Sequence, residues 1–304
     1  MEYIVAAYTD TGTTKETNQD SLCLRCAKVP DVGEMVLAVI CDGMGGLKKG
    51  ELASATVVQE FGNWFDRNLQ HFPGICGSDF SVVRRQWTDL LLSLHREIIA
   101  YSAQKQVNMG TTVIALLLYG DRYLTVNIGD SRIYERKKEL VQLTQDQSLV
   151  AREIALGRIT EEQSRHHPQR NVLLQCLGVG EQLNPVFTEG KVKSDALYLL
   201  CSDGLSHEIA PEELATHLQA VTLTTKNGLT AKLSELTELC KQRGEGDNIT
   251  SILLRTKESA VEPKKKGFLK LIRKQSLSHQ EPSTSPALIE VAQIVHTKET
   301  IRDS

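Results

Sequence analysis

Three apolar runs in this 304-residue chain end or begin at an aspartate. Asp42 closes the run 35–41, Asp203 closes the run 196–202, and Asp247 opens the run 248–254. Such runs indicate buried strands, and a carboxylate at the end of a buried strand is costly unless it is paired or bound to metal. Several strand ends meeting at one edge of a sheet would make an oxygen-rich site for a hard cation. The pattern therefore favours a fold that collects these ends in one place.

The order of the remaining segments predicts antiparallel sheets covered by helices. Strand patterns fill the first 41 residues and recur in the middle of the chain, whereas apolar residues at helical spacing cover 51–70 and 80–106. The segment 146–180 is polar and turn-rich, which is typical of an inserted lobe, a flap, on the domain. Runs of strands followed by runs of helices do not fit the strict alternation of a parallel sheet. We expect an α+β fold with one antiparallel sheet, or two packed together, and helices outside.

Composition excludes several classes of protein. The net charge of -3 argues against broad nucleic-acid binding, and no apolar stretch reaches the roughly 20 residues that span a bilayer. The first residues form a strand-like segment without a basic leader and cleavage site, so we expect a cytoplasmic protein. The seven cysteines lie mostly in apolar runs, which favours reduced core thiols. Cys23 and Cys26 have metal-ligand spacing, but in a strand they face opposite sides, so we interpret them as core or surface residues.

The composition changes after Lys257. We therefore predict a domain at 1–257 and a basic, flexible tail at 258–304, whose net charge of +2 leaves -5 for the domain. Within the tail, the stretch 264–274 mixes basic and apolar residues. It is either a solvated linker or a segment that contacts an anionic membrane surface or an acidic partner. The segment 287–295 is a candidate short helix or strand that docks on a partner.

A series of short motifs, in this order, is similar to the metal-dependent Ser/Thr protein phosphatases, the PPM family or type two-C phosphatases. The order of pieces inside the lobe, with Leu156-Gly157-Arg158 followed by His167-Pro168-Gln169-Arg170-Asn171, resembles the bacterial branch. The resemblance covers about residues 2–256 and leaves the tail outside. The motifs that carry it are Asn18-Gln19-Asp20, Asp42-Gly43-Met44-Gly45-Gly46, Gly110-Thr111-Thr112, Gly129-Asp130-Ser131-Arg132, Ser202-Asp203-Gly204 and Asp247-Asn248.

The resemblance implies a four-layer αββα sandwich, with two central antiparallel sheets and a metal site where loops from both sheets converge. It assigns Asp42 as the bridge between two metal ions, with Asp203 and Asp247 on the first ion. The Gly43 carbonyl would bind the second ion.

The same resemblance adds outer ligands. Gln19 or Asp20 would act on the second ion through water. Asp130 would hold a third, weaker ion together with Asp203, and Arg132 beside it is expected to form a structural ion pair.

The chemistry implied by this resemblance is hydrolysis of phosphoserine and phosphothreonine in proteins. Carboxylate and water ligands favour Mn²⁺ or Mg²⁺, and a pair of such ions produces a bridging hydroxide at neutral pH. That hydroxide attacks phosphorus in line with the departing Ser or Thr oxygen, while the metals stabilise phosphoryl charge. The expected partner is a phosphorylated protein substrate, and the enzyme would oppose a bacterial Ser/Thr kinase.

The sequence departs from the family pattern at three places. Lys15 stands where an Arg usually binds the substrate phosphate, and Lys neutralises phosphate without the bidentate grip of Arg. Met44 stands where animal members carry a His proposed as general acid, so the identity of that acid is open. The flap usually begins with Asp-His-Ser, whereas this chain has Asp146-Gln147-Ser148.

Two alternatives share this fold: a catalytically silent scaffold, and a phosphatase dedicated to one regulator in a partner-switching circuit. A scaffold has no physical need for a cluster of repelling carboxylates, so the aspartates at 42, 130, 203 and 247 argue against it. A nucleotide-binding protein is disfavoured because the chain lacks a Gly-rich loop that ends in Lys-Ser/Thr.

Overall fold

The computed structural model describes residues 1–44, 49–77, 79–257, 285–297 and 299–303. Gly45 and Gly46 of the Asp42 motif and the basic stretch 264–274 lie outside the described residues. The strands are β1 Glu2–Asp10, β2 Ser21–Val29, β3 Gly33–Cys41, β4 Gly43–Met44, β5 Gly110–Thr111, β6 Val113–Tyr119, β7 Arg122–Ile128, β8 Arg132–Arg136, β9 Leu140–Gln142, β10 Val186–Lys191, β11 Leu197–Cys201, β12 Ile249–Lys257 and β13 Ala287–Ile294. The helices are α1 Gly50–Asn68, α2 Phe72–Ile75, α3 Ser81–Lys105, α4 Leu149–Ala155, α5 Glu161–Arg165, α6 Asp203–Ser206, α7 Pro211–His217 and α8 Lys226–Gln242, with short 3-10 turns at Leu69–His71 and Ile301–Asp303.

Two antiparallel sheets form the centre of the molecule. The first sheet has the strand order β1-β12-β11-β8-β9, and the second has the order β10-β7-β6-β3-β2-β13. A separate two-stranded ladder pairs β4 with β5. Helices α1 and α3 cover the outer face of the second sheet, and α6–α8 cover the outer face of the first. This arrangement confirms the predicted αββα sandwich.

Strand β3 shows why the sequence runs are apolar without a break. Its residues alternate between two cores, because successive side chains of a strand point to opposite faces. Odd-numbered residues contact the helix-side core, which also holds Phe61 and Trp87 in edge-to-face contact at 5.3 Å between ring centroids. Even-numbered residues fill the space between the sheets. Burial on both faces therefore requires an apolar residue at every position.

The cysteine predictions hold. All seven cysteines are unpaired and buried. Cys23 faces the helix-side core and Cys26 faces the space between the sheets, so the two thiols lie on opposite sides of β2. Among the described residues no helix combines the length and apolar character needed to span a membrane.

The end of the chain corrects one prediction. The segment 287–295 is predicted within a flexible tail, as a short helix or strand that docks on a partner; it does form a strand, β13, but that strand pairs antiparallel with β2 of the same domain. The short turn Ile301–Asp303 follows, and Arg302 makes ion pairs with Glu60 of α1 at 2.7 Å and Glu97 of α3 at 2.8 Å. The flexible-tail prediction is therefore wrong for the described part of 285–303.

Candidate metal and phosphate site

Strand register brings the predicted carboxylates to one end of the sandwich. Ser21 pairs with Cys41, so the loop that carries Asp20 lies beside Asp42. In the other sheet, Cys201 is opposite both Ser251 and Arg132, which places Asp203 near Asp247 and Asp130. The aspartates that are distant in sequence thus meet because each one flanks the same end of its strand.

The backbone of Asp42 is fixed by the Gly110-Thr111-Thr112 motif. The Asp42 amide donates to the Thr112 hydroxyl at 3.0 Å. The Asp42 carbonyl accepts from the Thr111 hydroxyl and from the Thr112 amide, each at 2.9 Å. These three hydrogen bonds use the main-chain groups of Asp42 and leave its carboxylate available.

Gly43 occupies a position that no other residue could fill without displacement of the backbone. A Cβ atom there would lie 2.4 Å from the carbonyl oxygens of both Gln19 and Gly50. The Gly43 amide also donates to the Gln19 carbonyl at 3.2 Å. Close packing of three loops at this point explains the glycine that follows Asp42 in the motif.

Asn248 connects the Gln19 loop to the Asp247 end of the first sheet. Its side-chain oxygen accepts from the Gln19 amide at 2.8 Å, and its side-chain nitrogen donates to the carbonyls of Thr11 and Thr17. The side-chain Nε2 of Gln19 in turn donates to the Glu51 carboxylate at the start of α1, at 3.2 Å. The Asp-Asn motif therefore fixes the position of the Gln19 loop.

These residues surround a cavity of about 200 Å³, here called the acidic cavity. Seven of the eight predicted site residues line it, while Asp20 lies fully buried behind it. The lobe 146–180 adds two wall residues that were not predicted, although one of them belongs to a motif quoted for the resemblance. The complete lining is Lys15, Gln19, Asp42, Gly43, Met44, Asp130, Asn171, Leu173, Asp203 and Asp247.

The electrostatics of the acidic cavity are strongly unfavourable without a cation. Burial raises the pKa of Asp42 well above its ordinary value, and the charges of Asp20, Asp203 and other neighbours raise it further. Burial and the charge of Asp203 act in the same direction on the pKa of Asp130. The pKa of Asp20 rises to about 7, mainly through burial. Burial and neighbouring negative charge thus disfavour ionisation of Asp20, Asp42 and Asp130, which is the condition that divalent cations relieve.

Two further observations indicate that the oxygen and nitrogen atoms around the acidic cavity suit a divalent metal ion. One oxygen of Asp203, Oδ1, is buried without a hydrogen-bond partner in the described part of the chain. Ligand atoms of Asp130, Asp203 and His207 all lie within 4.8 Å of one another. His207 was missed by sequence reasoning, although it follows Asp203 by one helical turn, a spacing that places both side chains on one face.

Lys15 lies at the wall of the acidic cavity and contacts Asp247. Its Nζ is 2.9 Å from Asp247 Oδ1. Burial lowers the pKa of Lys15, but the hydrogen bond to Asp247 and the charges of Asp42 and Asp203 outweigh it, so the pKa is raised. Lys15 is therefore cationic at neutral pH and is the basic side chain that lines this cavity.

The neighbouring Arg132 forms the structural ion pair expected of it. Its guanidinium binds both oxygens of Asp146, with the shortest contact at 2.7 Å. Met44 faces the lobe instead, where its sulfur lies 3.3 Å from Cys176 Sγ. Arg132 thus forms an ion pair with the first residue of the lobe, and Met44 contacts the lobe through Cys176.

Known proteins with the same arrangement were found by sequence and by structure. Residues 12–243 match the protein phosphatase 2C family, and that match ends before Asp247. The serine/threonine protein phosphatase PstP of Mycobacterium tuberculosis is 33% identical over 258 residues, which cover 82% of this chain and 44% of PstP. The chain thus spans less than half the length of that relative. Protein phosphatase PhpP of Streptococcus pneumoniae is 29% identical over 262 residues, covering 85% of this chain and 99% of PhpP.

A solved structure extends the comparison to metal. The catalytic domain of PstP in complex with two manganese ions superposes with a TM-score of 0.66 and 28% identity, covering 83% of this chain and 97% of that domain. The family match spans most of the present chain. The chain therefore belongs to the protein phosphatase 2C family of metal-dependent protein-serine/threonine phosphatases.

Proposed function

We propose that this protein hydrolyses phosphoserine and phosphothreonine in protein substrates at the acidic cavity, with Mn²⁺ or Mg²⁺ as cofactor. The observation that carries the proposal is the convergence of Asp42, Asp130, Asp203 and Asp247 on one cavity whose wall also holds a cationic Lys15. Anionic ligands that hold metal ions and a cation that attracts phosphate both suit phosphoryl transfer to water without an enzyme nucleophile.

The proposed ligands are those that the resemblance implies, and the acidic cavity brings most of them together. Asp42, Asp203, Asp247 and the Gly43 carbonyl would hold two ions, and Gln19 or Asp20 would act on one of them through water. Asp130 together with Asp203 would hold a third, weaker ion. When bound, the ions lower the pKa of a water and neutralise charge on the phosphoryl group.

Other residues of the chain attract the substrate phosphate and limit the access of water. Lys15 attracts the substrate phosphate, and its ion pair with Asp247 keeps the ammonium at the cavity wall until phosphate competes for it. Asn171 and Leu173 of the lobe close one side of the cavity and limit access of bulk water. Met44 cannot donate a proton, so the departing Ser or Thr oxygen takes its proton from water in the cavity.

A bacterial Ser/Thr kinase is the proposed source of the substrate. The proposal is supported by relatives that are named serine/threonine protein phosphatases and come from bacteria. A catalytically silent scaffold is the weaker alternative, because buried, mutually repelling carboxylates destabilise a fold that does not bind cations. No feature of the described residues favours a regulator-specific phosphatase over a general one.

Hydrolysis of an aryl phosphate and of a phosphothreonine peptide tests the proposal. The assay compares Mn²⁺, Mg²⁺ and chelator for wild type, Asp203→Asn and Asp89→Asn, the last an exposed carboxylate on α3. We expect metal-dependent turnover that Asp203→Asn abolishes and Asp89→Asn retains. Folded wild-type protein that turns over neither substrate with any metal would contradict the proposal and favour the scaffold.

A further inference from the structure

A second cavity, here called the side cavity, adjoins the acidic cavity. It has a volume of about 290 Å³ and is formed by the lobe together with the first sheet and α6. Asp130 lines both cavities, and His207 of the side cavity lies 3.7 Å from Asp203 of the acidic cavity. The two cavities therefore share Asp130 in their walls and adjoin where His207 contacts Asp203.

The charged groups of the side cavity do not balance once Asp130 holds a metal ion, as proposed above. Arg132 and Asp146 neutralise each other, and Asp130 is already assigned to the metal site. Arg165 and Arg170 also line the cavity, and among the described residues neither forms an ion pair.

Two nearby carboxylates do not change this balance. Glu213 acts on Arg165 only from a distance, because its carboxylate is bound by Arg243 at 2.6 Å. Two carboxylates of the lining, Asp130 and Glu161, form no ion pair among the described residues. With Asp130 holding a metal ion as proposed, two guanidinium groups face Glu161 alone, and the side cavity is positive in a domain whose overall charge is negative.

Hydrogen-bond donors in the side cavity are also left without partners. The hydroxyl of Ser206 is buried and makes no hydrogen bond in the described part of the chain. Arg170 donates from Nη1 to the Arg165 carbonyl at 3.1 Å, which fixes its position, and its other guanidinium N–H groups make no hydrogen bond within the described residues. Val150, Ala151 and Ile154 supply an apolar part of the wall that suits the methylene groups of a side chain.

We propose that the side cavity binds an anionic side chain of the substrate, close in sequence to the phosphorylated residue. The inference rests on the proposed function, because the substrate must occupy the acidic cavity at the same time. Side chains of an extended peptide follow at about 3.3 Å per residue, so a residue one to three positions away reaches a neighbouring cavity. Glutamate, aspartate and a second phosphorylated residue share the required charge and hydrogen-bond acceptors.

A peptide series measures the preference directly. A phosphothreonine peptide carries Glu at one position between -3 and +3, and the matched peptide carries Gln there, so that only the charge differs. Further peptides carry a second phosphothreonine at the preferred position to distinguish a carboxylate from a phosphate ligand. At low salt we expect wild-type kcat/KM to be about tenfold higher for the best Glu peptide than for its Gln partner, as for one charge-assisted hydrogen bond.

Variants of the lobe connect the preference to the side cavity. Arg165→Gln is expected to reduce the Glu-to-Gln ratio to near one, and Arg165→Lys to restore part of it. Arg158→Gln is the control, because Arg158 belongs to the same lobe but is exposed and paired with Glu153 at 3.1 Å. That variant should keep the wild-type ratio.

The outcomes separate the two proposals. Turnover of both peptides at equal rates, at every position tested, overturns the side-cavity inference and leaves the phosphatase proposal standing. Turnover of neither peptide overturns both. Should Arg165→Gln fail to fold, the wild-type ratio at increasing ionic strength replaces it, since a charge-based preference must fall as salt screens it. A ratio that is independent of salt refutes the inference.

Discussion

Removing one charge from the acidic cavity should have opposite effects on stability with and without metal. Asp203→Asn keeps the size of the side chain but removes a negative charge that raises the pKa of Asp20, Asp42 and Asp130. In metal-free protein the substitution relieves repulsion and should stabilise the fold. With Mn²⁺ present, the same substitution removes a ligand and should lower the stability relative to wild type.

The size of the metal-free effect follows from the spacing of the carboxylates. Two unit charges 4.8 Å apart, the upper limit for Asp130 and Asp203, repel by about 3.5 kcal/mol at an effective dielectric constant of about 20. Burial and the charge of Asp203 raise the pKa of Asp130, which makes the full repulsion of two unit charges an upper bound, and we expect a gain of about 1–2 kcal/mol. For a domain of this size the melting temperature should then rise by about 3–6 °C.

The pH dependence has a definite sign. A carboxyl whose pKa is higher in the folded state than in the unfolded state binds more protons when folded, so its contribution to stability falls as pH rises. Metal-free wild type should therefore lose stability between the ordinary carboxyl range near pH 4 and the folded pKa of Asp20, about 7. The advantage of Asp203→Asn should grow over the same interval.

Thermal unfolding with chelator or with Mn²⁺ at about one hundred times its Kd measures both effects. Binding at that concentration stabilises wild type by about 2.7 kcal/mol per site, so the order of the two melting temperatures should reverse on addition of metal. A variant less stable than wild type in chelator at pH 7.5 would show that the carboxylates do not repel as inferred. The absence of reversal would remove Asp203 from the metal ligands.

Three further substitutions have defined outcomes. Lys15→Ala should raise KM for a phosphopeptide about tenfold through loss of one charge-assisted contact, with partial recovery in Lys15→Arg, and steady-state kinetics that show no change in KM or kcat would exclude Lys15 from phosphate binding. Gly43→Ala should abolish Mn²⁺ binding in a calorimetric titration, because its Cβ collides with two carbonyl oxygens at 2.4 Å. Arg302→Ala should destabilise the fold by about 1–3 kcal/mol in chemical denaturation, because the buried Glu60 loses its closest cation, whereas Arg84→Ala at an exposed pair should cost under about 1 kcal/mol.

The sequence predicted the acidic cavity well because its residues sit at the ends of long apolar runs. A run such as 35–41 identifies a buried strand locally, and an aspartate at its end is informative whatever the strand pairs with. The motif order then specified which strand ends meet. The choice between one sheet and two could not be made from periodicity, since a strand buried on both faces looks the same in either arrangement.

The side cavity and His207 depend on tertiary packing and could not be predicted in the same way. Arg165 lies on a five-residue helix of the lobe, where nothing in the local pattern shows that the lobe folds back on α6. His207 lies one turn beyond Asp203, but that spacing has no meaning until the helix after the strand is known. Arg165 and His207 become candidate site residues only when the folded structure shows that the lobe and α6 line one cavity.

The C-terminal strand shows why a domain boundary drawn from composition can be misplaced. The composition changes at Lys257, yet two buried charges of the preceding domain find partners after it: Arg25 donates to Gln293 at 3.2 Å, and Glu60 binds Arg302 at 2.7 Å. Without β13, strand β2 would present an unpaired edge and an inward-facing arginine. Strand β13 therefore completes the edge of the second sheet, and the residues that receive it and the following turn belong to the range 1–257.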